Sequence, residues 1–467
     1  MDATAQRIRL EVSDKISGIS CGGIAAPMEL LRVLPFRSAI DERLHLLKAH
    51  KPYSESDHVV NLMLNIISGG DCLEDIELLR QDDAYLRAVN AARIPDPTTA
   101  GDFLRRFEER DIHTLIDINN EMNMNIWEAA QVDRSEALID IDGTIQQTYG
   151  ECKENMDMSY KGKWGFNPLI LTEANSGVHL AGVNRAGNVN SAEGAVAWID
   201  RAVVVAKSYF QKVLLRGDSA FSLTREFDRW DNEGVEFVFS YDCMNNLEKR
   251  ADLLATKAWR RVPRKKTRRH THANVKREAI ARRGYKHYRA KREWIAEFGY
   301  CPSKCGKEYR MVVVKRELEL SIGQKLMMPE YRYFFYITNN RERTPLQILD
   351  LIHRRCNHEN KIEQLDNGVH ALKMPAAEFH ANWAYMVICV MAWNLKSWLG
   401  LLMPNTERGA RVVRMEFKRF SRWRLEIPCQ VVRQAGYVVY RYIAHNPWLD
   451  DLFRLFDRIS RLRFARA

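Results

Sequence analysis

The sequence predicts an α/β fold in which a sheet-containing core, interrupted by a basic and partly β insertion, is flanked by helical N- and C-terminal regions. Three observations lead to this prediction. Apolar residues at helical spacing dominate the first part of the chain and return near its end. Short apolar runs bounded by turn residues, typical of buried strands, begin near residue 136. A strongly basic stretch separates the first of these runs from the last.

The first region, residues 1–130, is predicted to be mostly helical, with a break at the Gly69-Gly70 pair. Thr98 or Thr99 is predicted to cap the helix in PDPTTAGDFLRRFEERD. The arginines of that segment suit a module that binds nucleic acid, and a helical subdomain with solvated arginines explains them as well.

From residue 136 the pattern changes to strands. EALIDIDGT, GFNPLILTEANSG and VHLAGVNRAG are predicted strands, and a helix over residues 191–207 separates them from KVLLRGDSAF and VEFVFSYDC. This order matches an RNase H-like sheet, and it fits other α/β folds as well. The core is therefore predicted over residues 131–245, with a second part over 331–400.

Residues 246–330 form the predicted insertion. The run WRRVPRKKTRRHTHANVKREAIARRGYKHYRAKR contains a single acidic residue, Glu278. Such a run either follows a phosphate backbone or is a solvated arm, and its interleaved aromatic residues either pack the arm or stack on exposed bases. We prefer phosphate contact. The candidate residues are Arg264, Lys265, Lys266, Arg268 and Arg269.

After the insertion, YRMVVVKREL and YRYFFYITN are predicted strands, and Thr344 with Pro345 marks the start of a helix through PLQILDLIHRRCNHENKIEQL. The apolar stretch from Trp383 to Trp393 is shorter than the ~20 residues of a membrane span and is predicted to be a buried helix. The remainder, with residues 401–467 as a C-terminal region, is predicted to be largely helical with one hairpin near Cys429 to Tyr442.

Charge and cysteine usage bound the class of protein. The chain has 71 Lys+Arg against 60 Asp+Glu, a net charge of +11, which favours polyanionic partners and nucleic acid first. Its nine cysteines are scattered and odd in number, unlike a disulfide framework, and its first residues have no apolar core of signal-peptide type. We therefore expect a cytoplasmic protein.

Two aspartates are predicted to lie at the carboxyl ends of buried strands. Asp142 is followed by Gly143 and Thr144, and Asp218 follows the strand KVLLR. Charged groups in such positions are costly to desolvate unless they bind something, and a divalent cation would remove their mutual repulsion. Oxygen ligands suit Mg²⁺, or Mn²⁺ in its place. The alternative for each aspartate is that it caps a turn.

A third carboxylate comes from the helix after Pro345. Arg355, Glu359 and Glu363 are spaced four residues apart and share one face of that helix. Glu359 could complete a metal site, while Arg355 could hold a phosphate or orient Glu359. The alternative is an ordinary ion pair on a solvated helix.

Seven segments follow one another along the chain: IDIDGT, SYKGKWGFNPLI, AGNVNSAEG, LLRGDSAF, YFFYITN, RCNHEN and the helix ending AWNLKSW. In these segments and in their order, the sequence resembles the DDE transposases of bacterial insertion sequences across nearly the whole chain. The resemblance implies Asp142, Asp218 and Glu359 as catalytic and metal-binding residues, supported by Arg355 and Asn360. The gaps are 76 residues between the aspartates and 141 residues between Asp218 and Glu359. The family shows such a long second gap where a basic, β-rich insertion is present.

Alternatives remain within these motifs. Asp140 shares a strand face with Asp142, and Glu363 is the alternative to Glu359. The family signature usually has Tyr ahead of the Arg and Lys seven residues after the Glu, where this chain has Ile352-His353 and Asp366. We expect Lys361 or the basic run to make the phosphate contact of that Lys.

The resemblance implies cleavage and strand transfer, with Mg²⁺ (or Mn²⁺), at the inverted repeats of an insertion sequence. The implied partners are double-stranded DNA, as inverted repeats and target, and a second copy of the chain in a synaptic complex. Lys161 and Lys163 are further candidate DNA contacts, residues 1–130 a candidate module for DNA ends, and residues 401–467 a region for DNA binding or dimerisation. An RNase H-like endonuclease without strand transfer and a catalytically decayed DNA-binding relative are the alternatives.

Two further groups are not expected to bind metal. Cys301 and Cys305 have a loose zinc-like spacing, but His287 does not complete a recognisable ligand set. The cluster of His270, His272 and His287 is predicted to serve charge or hydrogen bonding.

Overall fold

A nine-stranded mixed β-sheet runs through the centre of this computed structural model, which describes residues 17–148, 150, 152–263, 288–320, 330–443 and 446–464. Side chains at 288–290, 319–320 and 356–360 are outside the description. The strands are β1 (Gly18–Ile19), β2 (Glu136–Gly143), β3 (Gln146–Gln147), β4 (Asp157–Met158), β5 (Trp164–Phe166), β6 (Leu169–Glu173), β7 (Val178–Val183), β8 (Lys212–Gly217), β9 (Val235–Tyr241), β10 (Arg260–Arg261), β11 (Tyr288–Tyr300), β12 (Tyr309–Leu320), β13 (Glu330–Thr338), β14 (Cys429–Gln434) and β15 (Tyr437–Tyr442). The helices are α1 (Ala25–Val33), α2 (Phe36–Arg43), α3 (Glu55–Ile67), α4 (Ile76–Arg80), α5 (Asp83–Ala88), α6 (Pro97–Leu104), α7 (Glu109–Ala130), α8 (Ala195–Lys207), α9 (Phe227–Asn232), α10 (Asn245–Asp252), α11 (Pro345–Asn367), α12 (Phe379–Leu401), α13 (Thr406–Arg414), α14 (Phe417–Phe420) and α15 (Leu449–Arg461).

Five strands form the half of the sheet that the strand patterns of residues 136–245 predicted. Their order is β7–β6–β2–β8–β9, with β2 in the middle. β2, β6 and β7 are antiparallel neighbours, whereas β2, β8 and β9 run parallel. The connection from β7 to β8 contains α8, which begins at Ala195, four residues after the predicted start, because Gly194 adopts a left-handed conformation before it. The fold is thus mixed α/β with one large mixed sheet.

The other half of the sheet is an antiparallel extension built from the predicted insertion and the strand that follows it. β10, β11, β12 and β13 are neighbours in that order, and β13 joins β9 through residues Phe335–Thr338. β11 is a strand that the sequence did not predict, because it begins inside the basic run and its charged residues conceal the buried Ile295 and Ala296. The candidate DNA-binding residues 264–269 and the three histidines at 270, 272 and 287 lie outside the described residues.

The apolar stretch predicted as a buried helix forms the middle of α12. This helix packs against α3, α6, α7, α13 and β7. By length and composition alone it could cross a membrane, but 94% of its most apolar window is buried inside the protein. The finding agrees with the predicted role as a core helix.

Side chains from two helices cover β7, the edge strand of the sheet. The amides of Asn119 and Asn120 in α7 donate to the carbonyls of His179 (3.1 Å) and Leu180 (2.9 Å). Asn394 of α12 accepts from the His179 amide (2.8 Å) and donates to its carbonyl (2.8 Å). These contacts satisfy backbone groups that an edge strand otherwise leaves unpaired.

Most helix boundaries follow local rules, and one prediction about them was wrong. Thr344 and Gln347 form the predicted capping box at the start of α11, with Pro345 in its first turn. The N-cap of α6 is Asp96, not Thr98 or Thr99. Its carboxylate accepts from the backbone of Thr99 (2.9 Å) and from its hydroxyl (2.7 Å), so the threonine supports the cap from inside the helix.

Candidate active site

Two predicted site residues lie at the same end of two neighbouring parallel strands. In the register of β2 and β8, Asp140 lies opposite Arg216. Asp142 is two residues further along β2, and Asp218 directly follows Gly217, the last residue of β8. Because side chains two residues apart point to the same face of a strand, Asp142 faces the side on which Asp140 and Arg216 meet.

Asp142 is nearly buried and is paired with a cation. It is 9% exposed, and its Oδ1 accepts from the amide of Gly143 (2.9 Å). Nη1 of Arg355 donates to its Oδ2 at 3.0 Å. This ion pair brings α11 against the end of β2, so strand and helix converge at Asp142.

Asp140 is engaged elsewhere. Nε and Nη2 of Arg216 donate to its two carboxylate oxygens at 2.7 and 2.9 Å, and both side chains are withdrawn from solvent. Burial raises the pKa of Asp140, and the charge and hydrogen bonds of Arg216 oppose that rise. Asp140 is held by this two-point pair away from solvent, whereas Asp142 lies at the end of β2, which favours Asp142 among the two candidates.

Arg216 also binds the helix that carries the third candidate carboxylate. Its Nη1 donates to the carbonyl of Leu351 in α11 at 2.8 Å. Leu351, Arg355 and Glu359 are spaced four residues apart, so one face of α11 meets the ends of β2 and β8. Arg216 lies within LLRGDSAF, but its role cannot be predicted from that segment because its partner Asp140 is far away in the chain.

The remaining candidates on α11 have different surroundings. The side chains of Glu359 and Asn360 lie outside the described residues, and Glu363 is exposed. Lys361 donates to the carbonyl of Ala174 (3.2 Å), and burial lowers its pKa. Its ammonium therefore lies at the turn after β6, and its expected phosphate contact stays a prediction. Burial raises the pKa of Asp366, which stands where the family signature usually has Lys.

Asp218 caps a turn, which is the alternative that the sequence left open beside metal binding. Its carboxylate accepts from the amide of Ala220 at 3.0 Å. The side chain is only partly buried, and it keeps further oxygen lone pairs for a ligand. The capping contact therefore orients the carboxylate without excluding a metal-binding role.

The donor set fits a hard divalent cation. Asp142 and Asp218 offer oxygen ligands alone, the preference of Mg²⁺ and Mn²⁺. Within the described ranges, no group of three or more His, Cys, Asp or Glu side chains could hold a metal ion, but the side chain of Glu359 is not among those described. Two of the three expected ligands thus lie at the same end of the parallel strands β2 and β8.

A buried arginine that sequence reasoning missed supports the end of β2. Arg185 donates to the carbonyls of Asn167 (2.8 Å), Ser191 (2.9 Å) and Glu193 (2.9 Å), and burial lowers its pKa to about 10. Its Nη2 would lie 3.5 Å from a Cβ added at Gly143. The AGNVNSAEG segment is therefore packed directly against the residue after Asp142.

Lys161 and Lys163 lie on an exposed excursion between β2 and β6. β3, β5 and β4 form a small three-stranded sheet there, and both lysines are solvent-exposed at its turn.

The two cysteines with zinc-like spacing contact backbone carbonyls. The Cys301 thiol contacts the carbonyl of Cys305 (3.4 Å), and the Cys305 thiol contacts the carbonyl of Thr224 (3.1 Å).

Comparison with known proteins gives a family match over almost the whole chain. The family model described as Transposase DDE domain group 1 matches residues 16–464. Among solved structures, the chain is similar to a piggyBac transposase in a cryo-EM structure of its synaptic complex with hairpin DNA. The identity is 11%, 86% of this chain and 81% of that chain are covered, and the TM-score is 0.36. None of the curated proteins compared matches the chain. The family match confirms the resemblance that the sequence motifs predicted.

Proposed function

Because this chain belongs to the transposases with a DDE domain of group 1, we propose that it cleaves and joins DNA strands at the inverted repeats of an insertion sequence, with Asp142, Asp218 and Glu359 as its catalytic residues. The observation that supports the assignment is that Asp142 and Asp218 lie at the same end of the parallel strands β2 and β8, with Arg355 of α11 on Asp142. The strand order β7–β6–β2–β8–β9 supports an RNase H-like core.

The proposed metal ligands are the three carboxylates of this site. Bound Mg²⁺, or Mn²⁺ in its place, would activate water or a DNA 3′-hydroxyl and stabilise the leaving oxygen. Asp142 and Asp218 would supply fixed oxygens from rigid strands, which reduces the reorganisation needed in the reaction. Arg355 would place a positive charge beside Asp142 and would be close to the phosphate that is attacked. Asn360 and Glu363, on the same helix, are the proposed supporting residues.

The proposed DNA contacts are the basic residues outside this centre. Lys161 and Lys163 are exposed on the excursion next to β2, and the run from Arg264 to Arg269 would follow a phosphate backbone. We propose residues 1–130 as the contact for DNA ends and residues 401–467 for DNA binding or dimerisation. A homodimer would hold two DNA ends in one synaptic complex, and the protein would act in the cytoplasm on nucleoid DNA.

Strand cleavage and joining on DNA that carries the element's own ends, with Mg²⁺ or Mn²⁺, tests the proposal. We expect Asp142→Asn, Asp218→Asn and Glu359→Gln each to lose at least about 100-fold in cleavage rate, since each replaces an anionic oxygen ligand that would hold the divalent cation. DNA binding should survive in all three. Glu342→Gln is the matched control, because Glu342 is 79% exposed and its loss should leave the rate unchanged.

The outcomes separate the alternatives. Cleavage without joining in the wild type would identify a nuclease of the same architecture. DNA binding without any metal-dependent chemistry would identify a decayed relative, with Asp366→Lys as the first variant to restore activity. Full activity in the Asp218→Asn protein would contradict the proposed triad.

A further inference from the structure

The excursion between β2 and β6 ends in an exposed aromatic tip, defined as residues 158–164. Met158, Tyr160 and Trp164 are 41%, 76% and 49% exposed, although large apolar side chains are usually buried. Lys161 and Lys163 are exposed beside them, and the ammonium of Lys161 lies 5.3 Å from the centre of the Tyr160 ring. Among the described residues neither lysine makes an ion pair. The tip thus presents aromatic faces and two cations to solvent.

A tight turn holds the aromatic tip in one conformation. Ser159 accepts at its carbonyl from the amide of Gly162 (2.8 Å), and Gly162 has a φ of +69°, which a glycine adopts without strain. The amide of Ser159 donates to the carbonyl of Lys163 (2.9 Å), and the amide of Lys163 donates to the Ser159 hydroxyl (3.1 Å). A preorganised tip loses little conformational freedom when it binds a ligand.

The base of the excursion is anchored to the chain around the start of α12. Lys153 donates to the hydroxyl of Thr148 (3.0 Å), within the excursion, and to the carbonyl of Met374. Glu154 accepts at 2.9 Å from the amide of Phe379, the first residue of α12. The excursion is therefore fixed to the chain that follows α11, the helix of the proposed third carboxylate.

The aromatic tip is close to the candidate catalytic carboxylates. Trp164 precedes Leu169 by five residues, and Leu169 pairs with Gly143, the neighbour of Asp142. Six residues at about 3.3 Å each reach Ile170, the partner of Asp142, and the paired strands are ~5 Å apart, so the backbone of Trp164 lies within roughly 25 Å of Asp142. This limit corresponds to about seven nucleotides of a DNA strand at ~3.4 Å each.

We infer that the aromatic tip is a stacking platform for an unpaired base of the DNA strand that enters the active site, with Lys161 and Lys163 on its phosphates. The inference rests on the proposed function and extends it to a specific contact. Exposed aromatic rings beside cations, on a rigid turn, match the chemistry of single-stranded DNA, in which every base offers a ring face and every linkage a negative charge. Such a contact would hold a strand end after its bases separate.

Binding of a dT oligonucleotide of about 20 residues, compared with a blunt duplex of the same length, tests the inference without knowledge of the terminal repeats. We expect Tyr160→Ala/Trp164→Ala to bind the single strand at least about 10-fold more weakly, because stacking contributes ~1–3 kcal/mol per base. The duplex affinity should change much less. Val204→Ala/Leu253→Ala is the matched control, since those apolar side chains are 69% and 85% exposed elsewhere on the surface.

A second measurement separates charge from stacking. Lys161→Ala/Lys163→Ala should reduce the dependence of log affinity on log salt by about 0.7 for each lost contact with a single strand. The aromatic variant should leave that slope unchanged. Equal dT binding by the aromatic variant and the wild type would overturn the inference, and a change in its oligomeric state at unchanged dT affinity would assign the tip to protein contacts instead.

Cleavage assays distinguish the failure of this inference from that of the proposed function. If the inference holds, the aromatic variant should cut fully paired ends slowly and should recover on ends with a preformed unpaired base. A wild type that binds dT through the tip but never cuts DNA would sink the proposed function alone. If the wild type cuts DNA and the aromatic variant cuts paired ends equally well, the stacking role alone is contradicted.

Discussion

Asp140 and Arg216 form an ion pair in which both side chains are at most 3% exposed. A buried pair of this kind adds little or no stability compared with apolar residues of similar size, but the loss of one partner leaves an uncompensated charge in the core. The ion pair is better explained by its position than by a gain in stability. Arg216 joins β2, β8 and the carbonyl of Leu351 in α11. The pair fixes the helix and strands that bring the candidate catalytic residues together.

We expect Arg216→Met to lower the free energy of unfolding by about 3–5 kcal/mol at neutral pH. Burial already raises the pKa of Asp140, and without Arg216 that pKa rises further. The folded state then binds a proton that the unfolded chain releases near pH ~4, so stability falls as the pH rises above that value. Urea unfolding at about pH 5 and about pH 8 measures the effect, which should be larger at the higher pH.

The double variant Asp140→Asn/Arg216→Met is the control for this prediction. It removes the titrating carboxyl, so its stability should lack the additional pH dependence of the single variant. A destabilisation of Arg216→Met that is equal at both pH values would show that the charge of Asp140 is not the cause.

At the scale of single elements, the edge strand β7 depends on side chains that no local rule identifies. Asn394 accepts from the amide of His179 and donates to its carbonyl, both at 2.8 Å. Trp383 and Trp393 donate their ring N–H groups to the carbonyls of Gly182 (2.8 Å) and Gly177 (2.9 Å). α7 and α12 therefore replace the strand that would otherwise continue the sheet.

Asn394→Leu should lower the free energy of unfolding by about 1–3 kcal/mol, because it leaves the buried His179 amide without an acceptor. The amide proton of His179 should also exchange faster with solvent. Asn245→Leu is the control, since Asn245 is exposed at the start of α10 and its replacement should change stability by at most about 0.5 kcal/mol. Unchanged stability of the Asn394 variant would contradict the role assigned to this hydrogen bond.

Features whose signals lie within a few residues could be predicted from the sequence. Contacts between residues far apart in the chain could not. Capping of α11 by Thr344 and the strand ends at Asp142 and Asp218 could be predicted, because each signal lies within a few residues. The bond of Asn119 to His179 becomes visible only when α7 meets the sheet. The buried pair of Asp140 and Arg216 likewise requires the register of β2 against β8.

At the scale of the whole molecule, the N- and C-terminal regions that the sequence separates share one core. β1 pairs with β14 through Gly18–Gln430 and Ile19–Cys429, and α1 packs against α15. The hydroxyl of Tyr442 donates to the carbonyl of Gly22 at 3.1 Å. Buried apolar residues from Ile19 to Ile459 belong to one cluster, so the two ends of the chain are expected to unfold together.

Gly23→Ala tests this coupling because Gly23 lies at the contact between the two regions. A Cβ added there would lie 2.1 Å from the backbone oxygen of Arg424, so one of the two segments must move. We expect a lower melting temperature with a single transition, and greater protease sensitivity in both terminal regions, since the strain acts on a shared core.

Gly101→Ala is the matched control. Gly101 lies inside α6, where the nearest atom to a new Cβ is the flexible end of Arg105 at 3.6 Å. Alanine favours the helix there by about 0.5–1 kcal/mol. Two separate transitions in the Gly23 variant, with only one terminal region becoming sensitive to protease, would instead show that the ends of the chain fold as independent units.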